Sequence, residues 1–69
     1  MTYYTVETHM NVSVADPQVC DVSTLDEAKR AAEERQTSQD TNLEVRNENG
    51  VRIAVNLPGA GWTNVGEER

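Results

Sequence analysis

The sequence predicts an α+β domain in which one mostly antiparallel sheet is covered on one face by a single helix. Apolar residues alternate with period two over residues 2–15 and again over residues 42–57, as in half-buried strands. A capped, alanine-rich helix lies between these stretches, so the predicted order is β-β-α-β-β. Residues 1–58 form the predicted domain, and residues 59–69 form a predicted C-terminal tail that is partly disordered.

The first alternating stretch has one face that is more apolar, and we expect that face to lie against the core. It carries Tyr4, Val6, Thr8, Met10, Val12 and Val14, and the solvated face carries Tyr3, Thr5, Glu7, His9, Asn11 and Ser13. One strand over residues 2–15 would span roughly 40–45 Å at about 3.3 Å per residue, which is too long for so small a domain. A hairpin that turns at His9, pairing Val6 with Val12 and Tyr4 with Val14, is therefore predicted. One long bent strand is the alternative.

Pro17 interrupts the alternation, because proline fixes its own backbone and restricts the residue before it. Residues 19–22 are then predicted to end the second strand or to continue it past a bulge. Cys20 has no basic neighbour in sequence that would stabilise a thiolate, so we expect a small buried side chain there.

The helix is predicted to begin with a capping box, in which Thr24 is the N-cap and Glu27 is the third helical residue. Its apolar stripe is narrow and built from small side chains: Leu25, Ala28 and Ala32. The polar run over residues 37–41 loses the helical periodicity, so the helix is predicted to end near Gln36–Ser38.

The second alternating stretch surrounds Gly50, which signals a hairpin turn. A two-residue loop would place apolar residues opposite charges, so we predict a three-residue loop with Gly50 at positive φ. This register places four apolar side chains under the helix: Leu43 opposite Val55 and Val45 opposite Ile53. It also places Arg46 opposite Arg52 on the outer face, where two like charges are mildly destabilising.

Trp62 is the only tryptophan, and it follows a chain-breaking run over residues 57–61. We expect it to fold back onto the sheet. An exposed Trp62 that acts as a hot spot for a partner is the alternative.

The chain carries twelve acidic and six basic residues, for a net charge of −6, and residues 1–28 contain no Lys or Arg. This charge repels phosphates and anionic lipids, so we expect neither direct nucleic-acid binding nor membrane binding. It favours a partner protein with a basic surface. No apolar run is long enough for a signal sequence or a membrane span, so we expect a cytoplasmic location in the producing or infected cell.

Residues suited to catalysis or metal binding are sparse. The chain has one histidine, His9, and one cysteine, Cys20, which excludes an internal disulfide and argues against a zinc site. His9 is predicted to lie on the solvated face or at a turn, and the glycines do not form a phosphate-binding loop. We therefore expect no enzyme activity and no catalytic, cofactor-binding or metal-binding residues.

The stretch from Ser23-Thr24-Leu25-Asp26-Glu27-Ala28 through Asn49-Gly50-Val51 resembles small uncharacterised bacterial domains of β-β-α-β-β order. This resemblance implies a fold and carries over no functional residue. In length and acidity alone, the chain is similar to phage-encoded inhibitors such as anti-CRISPR and DNA-mimic proteins.

The functional hypothesis is a small acidic, non-enzymatic inhibitor that docks on a basic, nucleic-acid-binding surface of a partner protein. It could be an inhibitor of the anti-CRISPR type from a phage or mobile element. The alternative is a housekeeping accessory domain or a small homodimeric subunit, since so small a core gains from self-association. The predicted partner-binding residues are one tryptophan and six acids: Asp16, Asp21, Asp26, Glu27, Glu33, Glu34 and Trp62.

Overall fold

In the computed structural model, the described residues are 1–10 and 12–66, and they form six strands and one helix. In chain order the elements are β1 Thr2–His9, β2 Val12–Ser13, β3 Gln18–Asp21, α1 Leu25–Arg35, β4 Asn42–Asn47, β5 Arg52–Leu57 and β6 Gly61–Asn64. Every strand pairing is antiparallel, and the sheet order is β2-β1-β4-β5-β6, with β3 also paired to β1. One helix packs against this sheet, so the predicted α+β class is confirmed.

The β1–β2 hairpin confirms a turn rather than one bent strand, but the predicted register is wrong. His9 pairs with Val12, so the chain reverses after His9 rather than at it. Met10 has a φ of 53°, the left-handed conformation that a tight turn of this kind requires. Asn11, which we expected on the solvated face, lies outside the described residues. After a loop over residues 14–17, β3 continues the same edge of the sheet, as predicted for the segment beyond Pro17.

Strand β1 has the opposite phase to the predicted one. Tyr3 and Thr5, which we expected on the solvated face, are buried on the helix side, whereas Tyr4 lies half-buried on the other side of the sheet. The polar residues of this strand face the helix because they bind it there: Thr5 accepts a hydrogen bond from Arg35. Val6 is nevertheless buried on the open face, so both faces of this central strand are shielded.

The β4–β5 loop has the predicted three residues. The Asn47 amide donates to the Val51 carbonyl over 2.9 Å, and the Gly50 amide donates to the Asn47 carbonyl over 2.9 Å. Gly50 has a φ of 81°, which glycine adopts at little cost. Arg46 lies opposite Arg52, as predicted.

Beyond this loop a β-bulge changes the register, so two predicted pairs are wrong. Val45 pairs with Ala54 rather than Ile53, and Leu43 pairs with Asn56 rather than Val55. A bulge turns two successive side chains to one face, and Ile53 and Ala54 are accordingly both fully buried. Val55 lies opposite Glu44 on the open face and is only half-buried, so it is not under the helix as predicted.

Helix α1 begins and ends where the sequence predicts. The Thr24 hydroxyl accepts from the Glu27 amide over 3.2 Å, and Gln36 caps the other end. The stripe of small residues packs on the sheet, as predicted, and Cys20 is buried, as predicted. The buried core comprises Tyr3, Cys20, Ala28, Ala32, Leu43, Val45, Ile53 and Ala54.

The predicted C-terminal tail contributes a strand that the sequence analysis did not include. Gly61–Asn64 forms β6 against β5, and Trp62 packs against the core, which confirms that it folds back. The Val65 amide extends this contact by donating to the Ile53 carbonyl over 3.0 Å. Strand β6 is held to β5 by backbone pairing. Its residues Thr63 and Asn64 are polar, so the sequence shows no apolar alternation that would predict a strand here. Residues 67–69, the end of the predicted tail, lie outside the described residues.

Candidate protein-binding surface

The acids of the helix lie on its two flanks. Asp26 and Glu33 are seven residues apart, as are Glu27 and Glu34, so each pair shares one flank. Glu33 accepts a hydrogen bond of 2.9 Å from the Trp62 indole, which places its flank on the β6 side. Because the helix also packs on β1, β3 and β4, the flank with Glu27 and Glu34 faces the β3 side.

Two further predicted residues lie on the β3 side. Asp16 is in the loop between β2 and β3, and Asp21 is the last residue of β3. Asp16, Asp21, Glu27 and Glu34 are all exposed, and we refer to these four residues as the acidic edge. The N-terminal ammonium lies 3.7 Å from Asp21. In the described part of the chain, the other three carboxylates form no ion pair, and Arg30 lies between Glu27 and Glu34 on the same flank of the helix.

The remaining predicted residues, Asp26, Glu33 and Trp62, lie on the other flank. The Lys29 ammonium is 5.8 Å from the centroid of the Trp62 ring, a cation–π distance. Together with the Glu33–Trp62 hydrogen bond, this contact fastens β6 to the helix. Glu33 and Trp62 therefore contact each other, and the acidic edge is the stronger candidate for binding a partner.

A small cleft of about 50 Å³ lies between the loop that carries Asp16 and the C-terminal end of the helix. Asp16, Gln18 and Arg35 line it, and the Arg35 guanidinium donates to the Thr5 hydroxyl over 3.0 Å. A cleft of this volume has room for a water molecule or two. Arg35 is thus held at the base of the edge instead of neutralising its carboxylates.

Glu7 is a structurally important residue that the sequence analysis placed on the solvated face. Its carboxylate accepts from the Thr37 amide and hydroxyl, both over 2.8 Å, from the Ser38 amide over 3.2 Å, and from the Thr41 hydroxyl. Burial alone would raise the pKa of Glu7, but the hydrogen bonds from Thr41, Thr37 and Ser38 outweigh it and lower this pKa. Its partners are at least 30 residues away, so no local pattern could reveal the contact.

The open face of the sheet carries the pair of arginines. Arg46 lies 3.4 Å from the Glu44 carboxylate, and Tyr4 is its neighbour on β1. Arg52 is exposed and forms no ion pair with another described residue. This basic spot lies on the side of the sheet away from the helix, so it does not neutralise the helix acids.

His9 is exposed at the end of β1 and Cys20 is buried, so these two residues are not brought together. Across residues 1–10 and 12–66, no three His, Cys, Asp or Glu side chains are grouped to hold a metal ion. No helix in the same residues has the length and apolar character to cross a membrane.

No protein-family model matches this chain, and neither does any curated protein or solved structure.

Proposed function

We propose that this protein is a non-enzymatic protein-binding module whose acidic edge docks on a basic surface of a partner protein. The observation that carries the proposal is the grouping of Asp16, Asp21, Glu27 and Glu34, all exposed, along one side of the domain. Residues 1–28, which include three of these four, have no Lys or Arg. Arg30 lies on the helix flank that carries Glu27 and Glu34, and a basic partner surface would supply further neutralising charge.

An acidic edge of this kind affects mainly which partner binds and how fast it associates. Complementary charge speeds association and excludes like-charged partners, and salt screens it over about 8 Å at physiological ionic strength. Proteins that bind nucleic acid present Lys and Arg for phosphate contacts, so their binding grooves are suitable basic surfaces. In its finer form, the proposal is an inhibitor that occupies such a groove, of the anti-CRISPR type encoded by phages or mobile elements. The net charge of −6 on 69 residues supports this form.

A second candidate function is a small homodimeric subunit of a housekeeping assembly. Val12, Val14 and Val19 are exposed along β2, the following loop and β3, and they favour self-association through this edge. A molecular mass in dilute solution that doubles with rising concentration would favour this candidate over the first.

Charge reversal tests the proposed function with a partner captured from the native host and identified by mass spectrometry. We expect the double variant Asp16→Lys with Glu34→Lys to weaken partner binding by about tenfold or more, because two exposed ion pairs become repulsive. The matched control is Asp26→Lys with Asp40→Lys, which makes the same charge change at an exposed position on the other flank of the helix and at an exposed loop position. Affinities are measured by titration calorimetry over a range of salt concentrations.

The proposal requires the control to bind nearly as tightly as the unmodified protein and the affinity to fall as salt rises. Equal affinities for the two double variants, or an affinity independent of salt, would remove its basis.

A further inference from the structure

We propose that the partner supplies an extended, basic segment that adds to the sheet as a further strand beside β3. This inference rests on the proposed function and deepens it, because it names the element of the partner that binds the acidic edge. The backbone of β3 provides the pairing groups, and the side chains of the acidic edge provide the charge.

The β2–β3 edge is open and apolar. Within residues 1–10 and 12–66, β2 and β3 pair with β1 alone, so their outer backbone groups face solvent. Natural edge strands are usually blunted by charged side chains, lysine above all. Here Val12 is 67% exposed and Val19 is 58% exposed, and the first 28 residues contain no lysine. The edge therefore presents exposed apolar side chains and no lysine, and Pro17 and Asp21 bound the stretch with which an added strand can pair.

Strand geometry specifies the pattern of the partner segment. Val19 pairs with Tyr4 on the open face, and Cys20 pairs with Tyr3 on the helix face. Side chains of an added strand would alternate between the same two faces. Those on the helix face would lie on the side of Glu27 and Glu34. Those on the open face would lie beside Val19, with Asp21 on the same face at the end of the strand. The expected segment thus alternates basic and apolar residues.

The other edge of the sheet fits such a segment less well. Strand β6, Gly61–Asn64, has no charged residue, and the indole of its Trp62 donates a hydrogen bond to Glu33. On the chosen edge, the irregular loop at residues 14–17 interrupts pairing, so the added strand would lie along Gln18–Asp21. Charge complementarity and the open backbone both favour this position.

A short synthetic peptide of alternating lysine and valine, with blocked termini, is a suitable probe for this site. We expect it to shift the NMR signals of the Gln18–Asp21 backbone amides and to slow hydrogen exchange at Val19 and Asp21. These two amides point away from β1, because Met1 and Val22 form a hydrogen-bonded pair and such pairs alternate along the strand. Replacing Val19 with threonine should weaken binding about fourfold, because about one methyl group of apolar contact is lost. Glu34→Gln should also weaken binding, by about threefold. Val65→Thr changes an exposed valine away from this edge and should leave the affinity unchanged.

Three outcomes would overturn the inference. The first is equal binding of a peptide of the same composition in which the lysines are grouped, since charge alone would then suffice. The second is peptide binding that leaves the Gln18–Asp21 amides unchanged. The third is slow exchange of these amides in a dimer without peptide, which would make a second copy the occupant. None of these results removes the proposed function, which fails only if charge reversal leaves binding of the captured partner intact.

Discussion

Replacing Tyr3 with alanine is expected to lower the free energy of unfolding by about 3–5 kcal/mol, the usual cost of deleting a buried aromatic side chain. Tyr3 is 1% exposed and is the largest fully buried side chain, in a core otherwise built from small and medium residues. Tyr4, its neighbour, lies half-buried on the open face, so Tyr4→Ala should cost less than about 1.5 kcal/mol. The two variants thus test the phase of β1 directly.

Urea unfolding followed by circular dichroism and by Trp62 fluorescence measures both free energies. Tyr3→Leu is a milder companion, because a small domain could unfold outright when it loses a whole ring. A larger loss at Tyr4 than at Tyr3 would show that β1 has the phase predicted from its alternation.

Replacing Glu7 with glutamine is expected to lower the free energy of unfolding by about 2 kcal/mol at neutral pH. Hydrogen bonds to a charged acceptor contribute about 1.5–3 kcal/mol, and part of the Glu7 network is open to solvent. The amide nitrogen of glutamine would also face the Thr37 and Ser38 amides, which are donors. Glu34→Gln, on the exposed helix flank, should change stability by less than about 0.5 kcal/mol.

The same residue makes stability depend on pH. The folded protein has the lower pKa for Glu7, so the folded state binds this proton less readily than the unfolded chain. The contribution of Glu7 is therefore complete above its ordinary pKa of 4.5 and is lost as the pH falls through the lower folded value. Urea unfolding between neutral and acid pH measures this loss, and the Glu7→Gln protein should show a shallower fall. Parallel curves for the two proteins would contradict the assigned role.

The helix and the β4–β5 loop could be predicted because their signals are local. A capping box spans four residues. A run of alanines and a glycine at a turn likewise act on residues that are close in sequence. The phase of β1 could not be predicted, because Thr5 and Glu7 face the helix to bind Arg35 and Thr37, thirty residues away. The bulge at Ile53 could not be predicted either. Val55 is as apolar as the residues that are buried, so the apolar alternation gives no sign of a change in register.

The composition predicted the acidic residues as candidates for partner binding, but not which side of the domain each flank of the helix faces. Helical periodicity pairs Glu27 with Glu34 and Asp26 with Glu33, and the Trp62–Glu33 hydrogen bond shows which pair lies beside strand β6. Strand β6 has no alternation of apolar residues, so its contact with the helix could not be predicted from the sequence. The acidic edge combines residues of the helix with residues of β3 and the loop before it, so it can be recognised only once these elements are packed together.

Amide hydrogen exchange of the protein, with and without its captured partner, tests the proposed acidic edge most directly. We expect the partner to slow exchange over the 14–17 loop and at Val19 and Asp21, and to leave Gly61–Asn64 unchanged. Protection confined to the open face around Arg46 and Arg52, with the β3 edge exchanging as in the free protein, would contradict the account.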